Sequence, residues 1–240
     1  MEFADVLDAY TWEARLQPAL LTLFPLFVTM AVWTPALYGL AGGLVGLAIA
    51  CGAVVYLAHI ARERGRRVEG RLFVAWGGKS TIRWLRHRDD ALDRHTKSRY
   101  HEYFARNVPG WRAPTPEDEA ADPDRSDALY DSAVRWLREQ TRDRKRFALI
   151  FKENVSYGFR RNLFGLRPLG LAVAGLCVVG NGAVLYYELA GDETSISVTG
   201  VASLVVSVLA TAGWTFVVKP SWVRDAAEAY ARALLSSCDA

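Results

Sequence analysis

Charge is missing from two long stretches of this 240-residue chain. No Asp, Glu, Lys or Arg occurs between Pro18 and Ile60, and only Glu188, Asp192 and Glu193 interrupt the run from Pro168 to Val218. Cysteine is scarce as well. Cys51, Cys177 and Cys238 form no CxxC pair, which excludes a disulfide framework or a zinc site of ordinary spacing. The four histidines, His59, His87, His95 and His101, show no metal-ligand spacing, so no metal and no cofactor is expected. The N-terminal stretch is acidic where a signal peptide is basic, and Cys238 stands outside any lipidation motif. The mean hydropathy of +0.06 averages over segregated blocks and does not describe a water-soluble chain.

The apolar blocks read as membrane spans. Each is long enough for two helices at about 20 residues per crossing. In the first, Pro18–Ile60, Trp33, Thr34 and Pro35 mark a turn, and Pro25 bends the first helix. Gly39, Gly42, Gly43 and Gly46 give the second helix a small-residue face that permits close helix approach in lipid. In the second block, Leu169–Tyr187 and Ile196–Val218 flank an acidic tip, with Tyr186 and Tyr187 at the interface. The expected class is therefore an all-α membrane protein, with four transmembrane helices as two hairpins around a helical basic domain. The segments are an amphipathic helix over 1–17, hairpins over 18–60 and 168–218, the basic domain over 61–167 and a final helix over 219–240. That final helix carries Val223, Ala226, Ala227, Tyr230 and Leu234 as an apolar stripe, with Ser221 as its cap.

What is present in abundance is arginine, 24 residues against 5 lysines. Arg62–Arg167 holds 25 Lys/Arg and 16 Asp/Glu, a net +9, while the rest of the chain is −6. The basic residues border the apolar blocks and are absent from the hairpin tips. The positive-inside rule then puts both termini and the central domain in the cytoplasm. Within the domain, residues 62–112 carry +8, residues 113–131 carry −6 and residues 132–167 carry +7. Helices are predicted near Thr81–Asp90, over Arg94–Arg106, and from Ser126 past Arg146. On the last of these, Arg135, Arg138, Arg142 and Arg146 recur every three or four residues. Such a like-charged ridge asks for an anion, which the 117–131 segment, lipid headgroups or a phosphate ligand would supply.

Trp76-Gly77-Gly78-Lys79-Ser80 has the end of a phosphate-binding loop but lacks the leading glycine, since position 73 is Phe, and lacks a preceding strand. Trp76, Trp84, Tyr100, Tyr103, Trp111, Trp136, Phe151 and Tyr157 interleave the cations in the manner of a single-strand nucleic-acid surface, or else form the domain's core. In the last span Thr199, Ser203, Ser207, Thr211 and Thr215 are each four apart. They either line a water-filled path or bond to neighbouring helices, and Asn181 in the third span belongs with them. Asp89, Asp90 and Asp93 have no nucleophile partner and suit Arg86, Arg88 and Arg94, so no enzyme is expected.

Arg135-Trp136-Leu137-Arg138-Glu139-Gln140 and Glu153-Asn154-Val155-Ser156-Tyr157-Gly158-Phe159-Arg160-Arg161-Asn162-Leu163, set between two apolar hairpins, resemble the four-span pore-forming effectors of bacterial anti-phage defence. The likeness is greatest to the membrane effector of Hailong-type systems. That resemblance implies a homotetrameric ion channel of the bacterial inner membrane, a toxin that arrests growth. It implies gating by single-stranded DNA oligomers from a partner nucleotidyltransferase; related effectors answer to cyclic oligonucleotides. The expected ligand residues are Arg83, Arg86, Arg135, Arg138, Arg142, Lys145, Arg146, Arg160 and Arg161, and the expected pore-lining residues are Thr199, Ser203, Ser207, Thr211 and Asn181. A non-conducting anchor that binds anionic lipid or a soluble partner is the alternative.

Overall fold

The computed structural model describes residues 9–34, 40–191 and 196–239, and among these the chain is helical with no strand. A short helix, Ala9–Thr11, and a π-helical turn, Trp12–Leu16, lead directly into α1 (Gln17–Trp33). There follow α2 (Leu40–Ala75), α3 (Ser80–Arg83), α4 (Arg94–Asn107), α5 (Pro116–Ala121), α6 (Pro123–Gln140), α7 (Ala148–Ala190), α8 (Val198–Phe216) and α9 (Pro220–Leu235), with a 3-10 turn over Ser236–Asp239. Phe3, Val6 and Leu7 of the expected N-terminal helix, Pro35 and Gly39 of the first turn, and the acidic tip at Asp192 and Glu193 lie outside the described residues.

Four helices are long and apolar enough to cross a membrane: Trp12–Trp33, Gly42–Arg83, Ala148–Ala190 and Val198–Phe216. Only 22% to 28% of each apolar window is buried within the chain. Leu44, Leu47 and Ile49 of α2, Leu176 and Val179 of α7, and Leu209 of α8 are all exposed. Apolar side chains facing outward at this density fit a hydrocarbon solvent better than water. The helix α7 also passes straight through Pro168, where the sequence places the start of a span. A proline inside a helix forfeits one backbone hydrogen bond, and the 43 residues of α7 absorb that loss.

The chain divides into two compact units. The first comprises Met1–Glu69 and Gly158–Val223. Its core packs Leu16, Ala19, Leu57, Ala61, Leu163, Leu166 and Trp214. Small residues set its closest approach. A Cβ on Gly165 would stand 2.6 Å from the backbone nitrogen of Gly65, so α2 and α7 meet with their backbones nearly touching.

The second unit comprises Gly70–Tyr157 and Arg224–Ala240. Leu85, Phe104, Tyr130, Val134, Leu137, Leu234 and Leu235 form its core, so the end of α9 is part of this unit's interior. Helix α9 begins at Pro220, which puts Ser221 inside the first turn rather than at a cap. Helix α4 begins after Asp93, whose carboxylate accepts the Thr96 amide at 2.9 Å. Two other expectations are corrected. The helix expected over Thr81–Asp90 is only the single turn α3, after which the chain turns back. The helix expected from Ser126 past Arg146 begins at Pro123, capped by Asp122, and stops at Gln140.

Candidate anion-binding surface and the polar core of the spans

The early stop of α6 dismantles the expected arginine ridge. The Thr141 hydroxyl donates to the Leu137 carbonyl at 2.9 Å, competing with helix continuation. Two residues later the Asp143 carboxylate accepts the Lys145 and Arg146 amides, at 2.8 and 3.1 Å, and the Asp143 carbonyl takes the Phe147 amide. Those amides of Arg146 and Lys145 hold its carboxyl below the usual range. Arg135 and Arg138 therefore stand on α6, while Arg142, Lys145 and Arg146 stand on a turn. Arg135 pairs with Asp131 at 2.7 Å and Arg142 with Glu139 at 2.7 Å, both exposed arginines on local partners. What survives is a basic turn with the end of α6 that leads into it, Arg138 to Arg146, whose five cations are all exposed. Half-buried rings adjoin it. Arg146 lies over Phe147 at 5.1 Å and within electrostatic reach of Tyr103, which itself packs on Trp136 at 6.4 Å.

Arg83 and Arg86 belong to the interior. Arg86 forks onto Asp127, with Nε to Oδ1 at 2.8 Å and Nη2 to Oδ2 at 2.5 Å, and donates through Nη1 to the Gly77 carbonyl at 2.7 Å. Gly77 and Gly78 take φ of 78° and 126° to wrap this guanidinium, and a Cβ on Gly78 would sit 2.7 Å from Arg86 Nη2. The glycine pair thus cradles an arginine, and Lys79 beyond it pairs with Asp131 at 2.8 Å. Arg83 lies 3.1 Å from Asp89 and 2.9 Å from Glu228. The expected partnership of Arg86 with Asp89, Asp90 or Asp93 is corrected accordingly. The acidic stretch 113–131 serves the basic segment before it as well as Arg135. The expected stacking surface contracts in the same way, since Trp84, Tyr100, Trp111 and Tyr157 are buried in the unit.

A cleft of about 630 Å³ lies beside the turn after α3, with His87, Arg88, Arg94, Lys97, His101 and Glu119 among its lining residues. Lys97 is buried, and its ammonium donates to the carbonyls of Arg86 at 2.6 Å and Asp89 at 2.5 Å, which fastens that turn. Glu119 accepts the His87 amide at 2.8 Å and the Tyr130 hydroxyl at 2.7 Å. Arg88 and Arg94 make no ion pair among the described residues, and the Glu119 carboxylate in the same lining opposes an anion. Among the described residues no three His, Cys, Asp or Glu side chains are placed to hold a metal.

His101 carries a pH consequence. Its ring bonds the Leu85 carbonyl at 2.8 Å and stacks on Tyr130, and burial pushes its pKa down to about 4. The unfolded chain binds a proton near pH 6.5 and the folded one does not until about pH 4. Stability is therefore fully present above pH 6.5 and declines as pH falls toward 4, by about 3 kcal/mol from this group. Thermal unfolding of the full chain between pH 7 and 4.5 should show that slope, and His101→Gln should flatten it.

In the first unit, Arg160 donates to the Trp222 carbonyl at 3.0 Å and lies over its ring, and Arg161 pairs with Glu69 at 3.0 Å. Both are occupied by their own unit. Of the hydroxyl row of α8, Ser203 and Ser207 face neighbouring helices. Ser203, Ser207 and Asn181 are fully buried. Asn181 accepts the Trp33 indole N–H at 2.7 Å and donates to Thr29 at 3.0 Å, to Ser207 at 3.3 Å and to the Cys177 carbonyl at 2.8 Å. Thr29 also meets Ser203 at 3.3 Å. Ser207, Thr211 and Thr215 each donate to the carbonyl four residues back. This network joins α1, α7 and α8, while Thr199 is exposed at the start of α8. No protein-family model, curated protein or solved structure matches the chain.

Proposed function

We propose that the chain is a multi-pass effector of the bacterial inner membrane, an oligomeric ion-conducting pore controlled by an oligonucleotide on its basic turn. The observation that carries the reading is the exposed run Arg138, Arg142, Arg144, Lys145 and Arg146, with Arg146 over the Phe147 ring and within electrostatic reach of Tyr103. Cations that follow a phosphate backbone, next to rings on which bases stack, suit single-stranded nucleic acid. The fork geometry of arginine suits phosphate oxygens. In this reading the spans form two hairpins, and both termini and the second unit face the cytoplasm, as the basic residues bordering the spans require. A single-stranded DNA oligomer is the favoured ligand and a cyclic oligonucleotide the variant of it. A nucleotidyltransferase would supply either. The resemblance to defence effectors favours a homotetramer whose opening arrests growth.

The basic turn runs directly into α7, which contains the third span, so ligand binding there acts at the start of a membrane helix. The test is binding of a labelled single-stranded DNA oligomer to the detergent-purified full chain. Arg138→Glu with Arg146→Glu should weaken binding by about 100-fold and lower its salt dependence by roughly two phosphate contacts. In liposomes the ion flux of the same variant should no longer respond to added oligomer. Unaltered affinity, or no binding by the unmodified chain, removes the basis of the reading.

A further inference from the structure

A second group of arginines gathers in the first unit, and its chemistry is independent of any oligonucleotide. Asn162 is at its centre and almost fully buried. The Asn162 amide donates to the Ala14 carbonyl at 2.7 Å, and its Oδ1 accepts from Nε and Nη2 of Arg161 at 3.3 Å each. Gly65 of α2 sits against the same side chain, where an added Cβ would lie 2.2 Å from Asn162 Oδ1. These contacts bring three helical segments together at one point. Each carries arginine beside its contact residue: Arg15 follows Ala14, Arg161 precedes Asn162, and Arg62 and Arg66 flank Gly65. Arg62, Arg66 and Arg161 all act electrostatically on Arg15.

Among the described residues, the ion pair at this point is that of a single carboxylate. Glu69 pairs with Arg161. Arg15 lies over the Tyr10 ring at 5.6 Å, and no ion pair is made by Arg15, Arg62 or Arg66 among the described residues. Guanidinium groups do not relieve such repulsion by losing protons. Arg15 and Arg62 are half-buried, so bulk water screens them incompletely. The place also matters. Arg15 precedes the apolar run that begins at Pro18, Arg62 and Arg66 follow the run that ends at Ile60, and Arg161 precedes the run from Pro168. All four stand where the apolar stretches give way to polar sequence, the depth of phospholipid headgroups. Topology alone asks only for cations near the ends of spans; it does not ask that three segments bring them to one point.

We infer that Arg15, Arg62, Arg66 and Arg161 form a binding site for a phosphate group, that of an anionic phospholipid headgroup. The guanidinium groups supply forked donors to the phosphate oxygens, and the bound headgroup brings negative charge to the junction of the three segments. Basic recesses between membrane helices take headgroups by this chemistry.

The experiment uses the detergent-purified full chain, its thermal unfolding and its lipid adducts in native mass spectrometry. Three additions, phosphatidylglycerol, phosphatidylcholine and inorganic phosphate, are compared with the protein alone. Phosphatidylglycerol should raise the unfolding midpoint and remain bound, and phosphatidylcholine should do neither. Arg62→Gln with Arg66→Gln should lower phosphatidylglycerol retention by about 30-fold, while Arg62→Lys with Arg66→Lys should keep most of it. Arg15→Gln alone should give an intermediate loss, and provides the reading if the double variant fails to fold. Equal retention by the glutamine variants, or equal stabilisation by phosphatidylcholine, overturns the site. Stabilisation by inorganic phosphate without phosphatidylglycerol binding assigns it to a free phosphate and overturns the lipid assignment.

Discussion

Replacing Arg86 with methionine should destabilise the second unit by about 3 kcal/mol, the order expected when one partner of a buried ion pair is removed. Methionine fills the volume of the stem but supplies none of the donors. Asp127 then loses both arms of a fork, and the Gly77 carbonyl loses its donor at 2.7 Å. Residues 77 and 78 have turned to positive φ around that guanidinium, so the turn also loses what it encloses. Hydrogen exchange on the full chain provides the localised readout. Peptides from Ser80 to Tyr130 should lose protection while those of α1 and α8 keep theirs. The double variant Arg86→Met with Asp127→Leu should recover part of the loss, because no buried charge is then left unpaired. A ligand contact would behave otherwise. If Arg86 were held for an oligonucleotide, Arg86→Met would fold with normal protection and fail only in binding, and the assignment to the interior would be wrong.

The difference between Arg86 and Arg146 was not legible in the sequence. Both are arginines in a basic block, each within three residues of another. What separates them is Asp127, 41 positions from Arg86, and a tertiary pairing of that range leaves no local signature. By contrast the four apolar helices were legible, because lipid imposes length and composition on every span. Helix α4 was legible as well, because Asp93 marks its start within the sequence itself. The end of α6 lay between these cases. Thr141 and Asp143 are the stop and start signals, a hydroxyl that bonds back to Leu137 and a carboxylate that caps the next turn. The even spacing of Arg135, Arg138, Arg142 and Arg146 masked them. The convergence on Asn162 was hidden for a different reason: Gly65 and Ala14 identify it only once their helices are packed.

Asn181→Leu should cost about 2 kcal/mol of stability in the first unit, the upper range for a polar contact between membrane helices. The side chains are nearly the same size, so the loss isolates hydrogen bonding from packing. Ser207 keeps a bond to the Ser203 carbonyl, but the Trp33 indole N–H has no other partner among the described residues and is left unpaired in an apolar setting. Trp33 has no easy retreat. Its ring presses on Gly200, where an added Cβ would come within 2.6 Å, so α1 and α8 are fitted to each other at that point. The measurement is thermal unfolding of the purified protein beside ion flux from liposomes, with flux expressed per folded molecule. If Asn181, Ser203 and Ser207 serve helix packing, the variant loses stability while each folded molecule conducts as before. If they line a water-filled path, leucine narrows and dries it, and flux falls with stability intact. Asn181, Ser203 and Ser207 are each fully buried within one chain, which favours the first outcome and leaves the outward faces of the spans as the wall of the proposed pore.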